Sequence, residues 1–189
     1  MNLCIYCSSS NAVDTVHFKA ARRTGLQLAA RGDRLIYGGA DIGLMGTLAR
    51  AVSEGGGHVT GVMPEALRTK RITYEAADRI IITRDMRTRK ATMARYADAF
   101  IALPGGFGTL EELFETLTER QLQVHDKPVV ILNVHGFYDP LISLFEHIYR
   151  ERFARRVDGL YTIVEEPDAI FDYLDRYQGE GGGRDGKPG

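Results

Sequence analysis

The chain belongs to the α/β class, and its sequence predicts a doubly wound parallel sheet of about seven strands with helices on both faces. Short apolar runs alternate with amphipathic stretches along nearly the whole length. Three of those runs end in turns rich in glycine or hydroxyls, the place where open parallel sheets bind ligands. At 189 residues, 44% hydrophobic and 26% charged, the chain suits one domain with a sizeable core, expected over residues 1–178.

The first strand is expected near 2–7, ending in Ser8-Ser9-Ser10, with a helix following at 14–31. RLIY at 34–37 is a second strand, and it runs into YGGADIGLMG and a helix at 43–54. The third and fourth strands fall at 58–63 and 79–83, before a helix at 86–97. A fifth at 98–103 ends in PGGFGT and opens a helix at 109–123, whose apolar stripe is Leu110, Leu113, Phe114 and Leu117. Strands at 128–133 and 160–164, with helices at 139–151 and 167–177, complete the pattern. GEGGGRDGKPG at 179–189 has no apolar residue and is expected to be a disordered tail.

Composition narrows the function classes. A formal net charge of −1 gives no footprint for nucleic acid, and Arg22-Arg23 and Arg155-Arg156 are short enough to be solvated helix faces. No apolar run approaches a membrane span, and MNLCIYCSSS lacks the features of a signal peptide, so a cytoplasmic protein is expected. The two cysteines, Cys4 and Cys7, have C-x-x-C spacing. On a strand, residues three apart point to opposite faces, so these are expected to be small core residues and not a metal or redox pair.

The segment 104–112, PGGFGTLEE, joins a strand end to a helix start. Its glycines Gly105, Gly106 and Gly108 can bring backbone amides to a phosphate at the positive end of the helix. The competing reading is local: Thr109 and Glu112 form a T-x-x-E capping box that serves only the helix. The segment lacks the Gly-Lys-Ser/Thr of a P-loop, and Glu111 occupies the place where a dinucleotide fingerprint needs glycine or alanine. Ser8, Ser9, Gly39 and Gly43, in the other two loops, should converge on the same end of the sheet. In the 86–97 helix, Arg89 falls inside the apolar arc of Met86, Met93, Tyr96 and Ala97. It needs an anionic partner or ligand there, unless its stem covers apolar surface and its head reaches water.

Together DMRTRK at 85–90 and PGGFGTLEE at 104–112 resemble the LONELY GUY (LOG) family of cytokinin riboside 5'-monophosphate phosphoribohydrolases. The family's signatures are Met-His-x-Arg-Lys and Pro-Gly-Gly-x-Gly-Thr-x-x-Glu. CSSS, YGGADIGLMG, GHVTGVMP and KPVVILNVHGFYDPL extend the likeness over most of residues 3–150. The resemblance implies a Rossmann-like fold, usually a homodimer, that hydrolyses the N-glycosidic bond of a purine nucleoside 5'-monophosphate without metal or cofactor. It places the catalytic arginine at Arg89 and the catalytic glutamate at Glu112, a choice over Glu111 that periodicity leaves open. Substrate-binding positions implied beside them are Met86, Lys90, Gly105, Gly106, Phe107, Gly108, Thr109 and Thr118.

The chain departs from the family pattern at Arg87 in place of histidine, at Glu119-Arg120 after Thr118, and at Arg71 where plant relatives have glutamate. These departures bear on base or side-chain preference. Two other functions compete: a non-catalytic nucleotide carrier or sensor of the same fold, and a pyridoxal-phosphate decarboxylase. The latter needs a Schiff-base lysine, for which Lys90 is the sole candidate.

Overall fold

The computed structural model describes residues 1–69 and 72–181. These form one seven-stranded sheet in the order β4-β3-β2-β1-β5-β6-β7, every pair of neighbours parallel. The strands are β1 (Asn2–Tyr6), β2 (Arg34–Tyr37), β3 (His58–Pro64), β4 (Arg79–Thr83), β5 (Ala99–Ala102), β6 (Val129–Leu132) and β7 (Thr162–Val164). The helices are α1 (Thr15–Ala30), α2 (Gly43–Glu54), α3 (Met86–Tyr96), α4 (Phe107–Gln121), α5 (Asp139–Arg150) and α6 (Pro167–Gly181). Each expected element is present, and the fold is the doubly wound parallel sheet that the alternation predicts, of the Rossmann-like kind that the resemblance implies. Helix α6 reaches Gly181, and the rest of the expected tail, 182–189, lies outside the described residues, as does Arg71.

Period-two alternation divides the core into two layers. Leu3, Ile5 and Cys7 face a cluster built with Leu28 of α1, Leu44 and Leu48 of α2, and Ile170 and Leu174 of α6. Cys4 and Tyr6 face the other side, with Met93 of α3, Leu113 and Leu117 of α4, and Phe145 of α5. Cys4 and Cys7 are therefore buried on opposite faces, as strand geometry requires.

The chain winds outward in both directions from β1, first to β2 and later to β5. That reversal opens a crevice beyond the carboxyl ends of β1 and β5. Ser8 N–H donates to Pro104 O at 3.2 Å, tying the two strand-end loops together. On the other side Leu44 N–H donates to Ser8 O at 2.9 Å, and Asn11 Oδ1 accepts from Gly43 N–H at 2.9 Å. At Gly43 φ is +58°, and a Cβ would overlap the Ser9 backbone, so glycine is required for the serine loop to dock on α2.

Candidate active site

Helix α3 opens at a side-chain cap: Asp85 Oδ1 accepts from Thr88 N–H at 2.7 Å. One turn later Arg89 enters the core with only 6% of its surface exposed. Its Nε donates to Val62 O at 3.0 Å and its Nη1 to Glu112 Oε1 at 2.7 Å. The inward arginine thus has an anionic partner and does not snorkel to solvent. Glu112 is equally buried, 5% exposed, whereas the adjacent Glu111 is exposed and pairs with Lys90. Structure separates the two carboxylates that periodicity left equivalent.

The capping-box alternative is not what forms. Helix α4 begins at Phe107, two residues before the expected start, because Gly106 takes an extended backbone (φ −89°, ψ −154°) and caps it without a side chain. Thr109 then belongs to the first turn, its side chain packed over Gly105, and Glu112 is turned to Arg89. The amides of Phe107, Gly108 and Thr109 find no backbone acceptor among the described residues, and they sit at the positive end of the helix.

Burial pushes the Glu112 carboxyl above its ordinary value, and the charge and hydrogen bond of Arg89 pull it only partly back. Among the described residues Glu112 Oε2 and Arg89 Nη2 have no hydrogen-bond partner, and neither is fully sealed from solvent. Both side chains line a cleft of about 520 Å³. Around them stand Ser8, Ser9 and Ser10, then Gly38 and Ala40, and the start of α4 from Gly106 to Thr109. An apolar wall completes the lining: Ile42, Met45, Met63, Pro64, Leu67, Ile72 and Met86.

Of the expected substrate positions, Ser8, Ser9, Met86, Gly106, Phe107, Gly108 and Thr109 line this cleft. Gly39, Gly43 and Gly105 stand behind it in the loops that shape it. Lys90 is held at the outer edge by Glu111 and Glu115, the latter at 2.8 Å, and Thr118 is exposed further along α4. Arg87, where the family has histidine, also points away and is exposed. Apart from Met86 the apolar wall was not foreseen; it collects residues from the end of β3, the segments after β2 and β3, and α2, which share no periodicity. Cys7 also lines the cleft, and burial pushes its thiol up, so it stays an unreactive thiol. Burial lowers the Lys90 ammonium, yet the hydrogen bonds of Glu111 and Glu115 outweigh it and the net shift is upward. A lysine kept protonated in this way is a poor Schiff-base nucleophile.

Comparison with known proteins agrees with this geometry. A family model described as "Possible lysine decarboxylase" matches residues 45–174. The cytokinin riboside 5'-monophosphate phosphoribohydrolase LOG of Oryza sativa subsp. japonica is 46% identical over 182 residues, covering 93% of this chain and 75% of that one. A cytokinin riboside 5'-monophosphate phosphoribohydrolase of Arabidopsis thaliana is 43% identical over 182 residues, 93% of this chain and 85% of that one. Among solved structures, the molybdenum cofactor carrier protein of Chlamydomonas reinhardtii superposes with a TM-score of 0.72 at 20% identity, covering 94% of this chain and 98% of its own. That likeness concerns the fold alone. With its arginine–glutamate pair set in a PGGxGTxxE helix start and this degree of identity to curated relatives, the chain belongs to the LOG family.

Proposed function

We propose that this protein hydrolyses the N-glycosidic bond of a purine nucleoside 5'-monophosphate, cytokinin-type or unmodified, giving free base and ribose 5-phosphate. One observation carries the reading: a buried guanidinium and carboxylate in contact on the lining of a cleft, each with a polar atom that has no partner among the described residues, beside the α4 amides that likewise have none there. The names of the relatives point the same way.

Breaking the C1'–N9 bond leaves positive charge on the ribose ring, and the electron pair departs with the base. Glu112 Oε2, the oxygen not engaged by Arg89, is the group that stabilises this cation, orients the water whose oxygen attacks C1' and takes up the proton that water loses, which the base regains in the net reaction. Arg89 stays protonated, so it offsets negative charge on the leaving base through Nη2 and does not act as a proton donor. The α4 amides and the serine loop hold the 5'-phosphate, and binding energy there aligns C1' with the carboxylate. The apolar wall accepts the base and any apolar substituent on it. No step calls on a cofactor or on a metal-ligating residue. We further propose that the working unit is a homodimer, and that neither nucleic acid nor a membrane is a partner.

The direct test is incubation with AMP, and separately with a prenylated adenosine monophosphate, in the presence of a chelator. Equal amounts of free base and ribose 5-phosphate support the hydrolase. Saturable binding without product replaces it with the carrier or sensor reading, and no binding overturns both.

A further inference from the structure

Gly38 follows β2 and lines the cleft, next to two glycines whose conformation explains them. Gly39 and Gly43 have φ of +80° and +58°, where an L side chain is strained. Gly38 does not; its backbone is open to alanine. The three heavy atoms nearest to where its Cβ would stand all belong to side chains: Arg89 Nη2, in direct overlap, then Met45 Cε at 3.2 Å and Arg89 Cζ at 3.3 Å. Glycine at this position therefore makes room for one guanidinium.

We infer that Gly38 is a positioning residue for Arg89, its missing side chain being the space in which Nη2 sits while Nη1 meets Glu112. This rests on the reading that Arg89 and Glu112 carry the reaction. The guanidinium is fixed on two sides by Val62 O and Glu112, and its third side lies over Gly38. A methyl group at Gly38 cannot share that space. The far end of an arginine yields more readily than packed backbone, so the added carbon moves Arg89 and leaves the sheet as it is.

The test is Gly38→Ala in the parental protein and in an Arg89→Ala background, with Tm, kcat and KM for AMP measured for each. The expected result is a Tm lowered by no more than in Arg89→Ala, a fall in kcat of about 10²-fold, and no further fall in either when Arg89 is already alanine. A crystal structure of Gly38→Ala should show Nη1 beyond hydrogen-bond distance of Glu112. Parental kcat, an equal loss in both backgrounds, or an intact Arg89–Glu112 contact each overturns the inference. Should Gly38→Ala not fold, rescue by Arg89→Ala supports it, and failure in both backgrounds overturns it. The structural readout needs no turnover, so a parental protein that cleaves nothing sinks the hydrolase reading and leaves this one separately decidable.

Discussion

Glu112 meets opposing demands at its two oxygens: Oε1 is neutralised by Arg89, and Oε2 is left to face the cleft. Glu112→Gln keeps the shape and removes the charge. It should still fold and bind AMP while turnover falls by about 10²- to 10³-fold. Base release at near-parental rate would remove Glu112 from the chemistry. In the proposed reaction the carboxylate is the active form, and its pKa is raised by burial above the ordinary 4.5. Activity should therefore decline toward acid with a midpoint above that value, read from kcat/KM against pH. The same shift governs stability. A carboxyl whose folded pKa is raised contributes stability that is full below its unfolded pKa and is lost as pH rises through the folded one. Arg89 limits that loss. Arg89→Ala leaves a buried carboxylate unpaired, costing on the order of 3 kcal/mol at neutral pH. Its Tm deficit should narrow as pH falls from neutral toward the ordinary carboxylate value of 4.5, as the carboxyl takes up a proton. A deficit independent of pH would mean that Glu112 is not the strained charge.

At the scale of elements, the first turn of α4 is the feature on which the proposed phosphate binding rests. Nothing stands within 4 Å of where a Cβ on Gly108 would point, and Gly108 lies in the helix and lines the cleft. Alanine suits a helix better than glycine by up to about 1 kcal/mol. Gly108→Ala should then raise Tm slightly and yet raise KM for AMP, because its methyl group intrudes on the anion position. A lower Tm with unchanged KM would place the phosphate elsewhere. The strands were readable in the sequence because parallel strands buried on both faces are continuous apolar runs, as in PVVILN at 128–133. The start of α4 was not. Thr109 has the chemistry of a cap, but the extended backbone of Gly106 ends the loop first, and composition does not show that. Arg89 was visible as a charge on an apolar arc. Its partner 23 residues away was named only by the family resemblance, because α3 and α4 are separated in sequence by β5 and become neighbours on one face of the sheet, where Arg89 meets Glu112 and Lys90 meets Glu111 and Glu115. The apolar wall of the cleft escaped for a similar reason, since Met45, Met63 and Ile72 become neighbours only after β2 and β3 pair.

For the molecule as a whole, the sheet's reversal between β1 and β5 sets the site at one end, and the exposed side of α4 runs away from it. Phe107, at the mouth of the cleft, is 94% exposed, and Phe114 and Leu122 lie toward the same side of the helix at 37% and 70%. Apolar groups in such a row, with polar residues around them, are suited to a self-complementary contact. A second copy seated there would cover Phe107 and restrict water at the cleft mouth, joining assembly to catalysis. Leu122→Asp leaves the edge-to-face contact of Phe114 with Phe145 untouched and introduces a charge into the proposed contact. Sedimentation should give twice 21.0 kDa for the parental protein. The variant should dissociate at least about tenfold more readily, which corresponds to ~1.4 kcal/mol. Its KM for AMP should rise with the monomer fraction, and not at concentrations where it remains dimeric. A parental protein that sediments at 21.0 kDa at every concentration would discard the dimer and leave Phe107 as an open lip of the cleft.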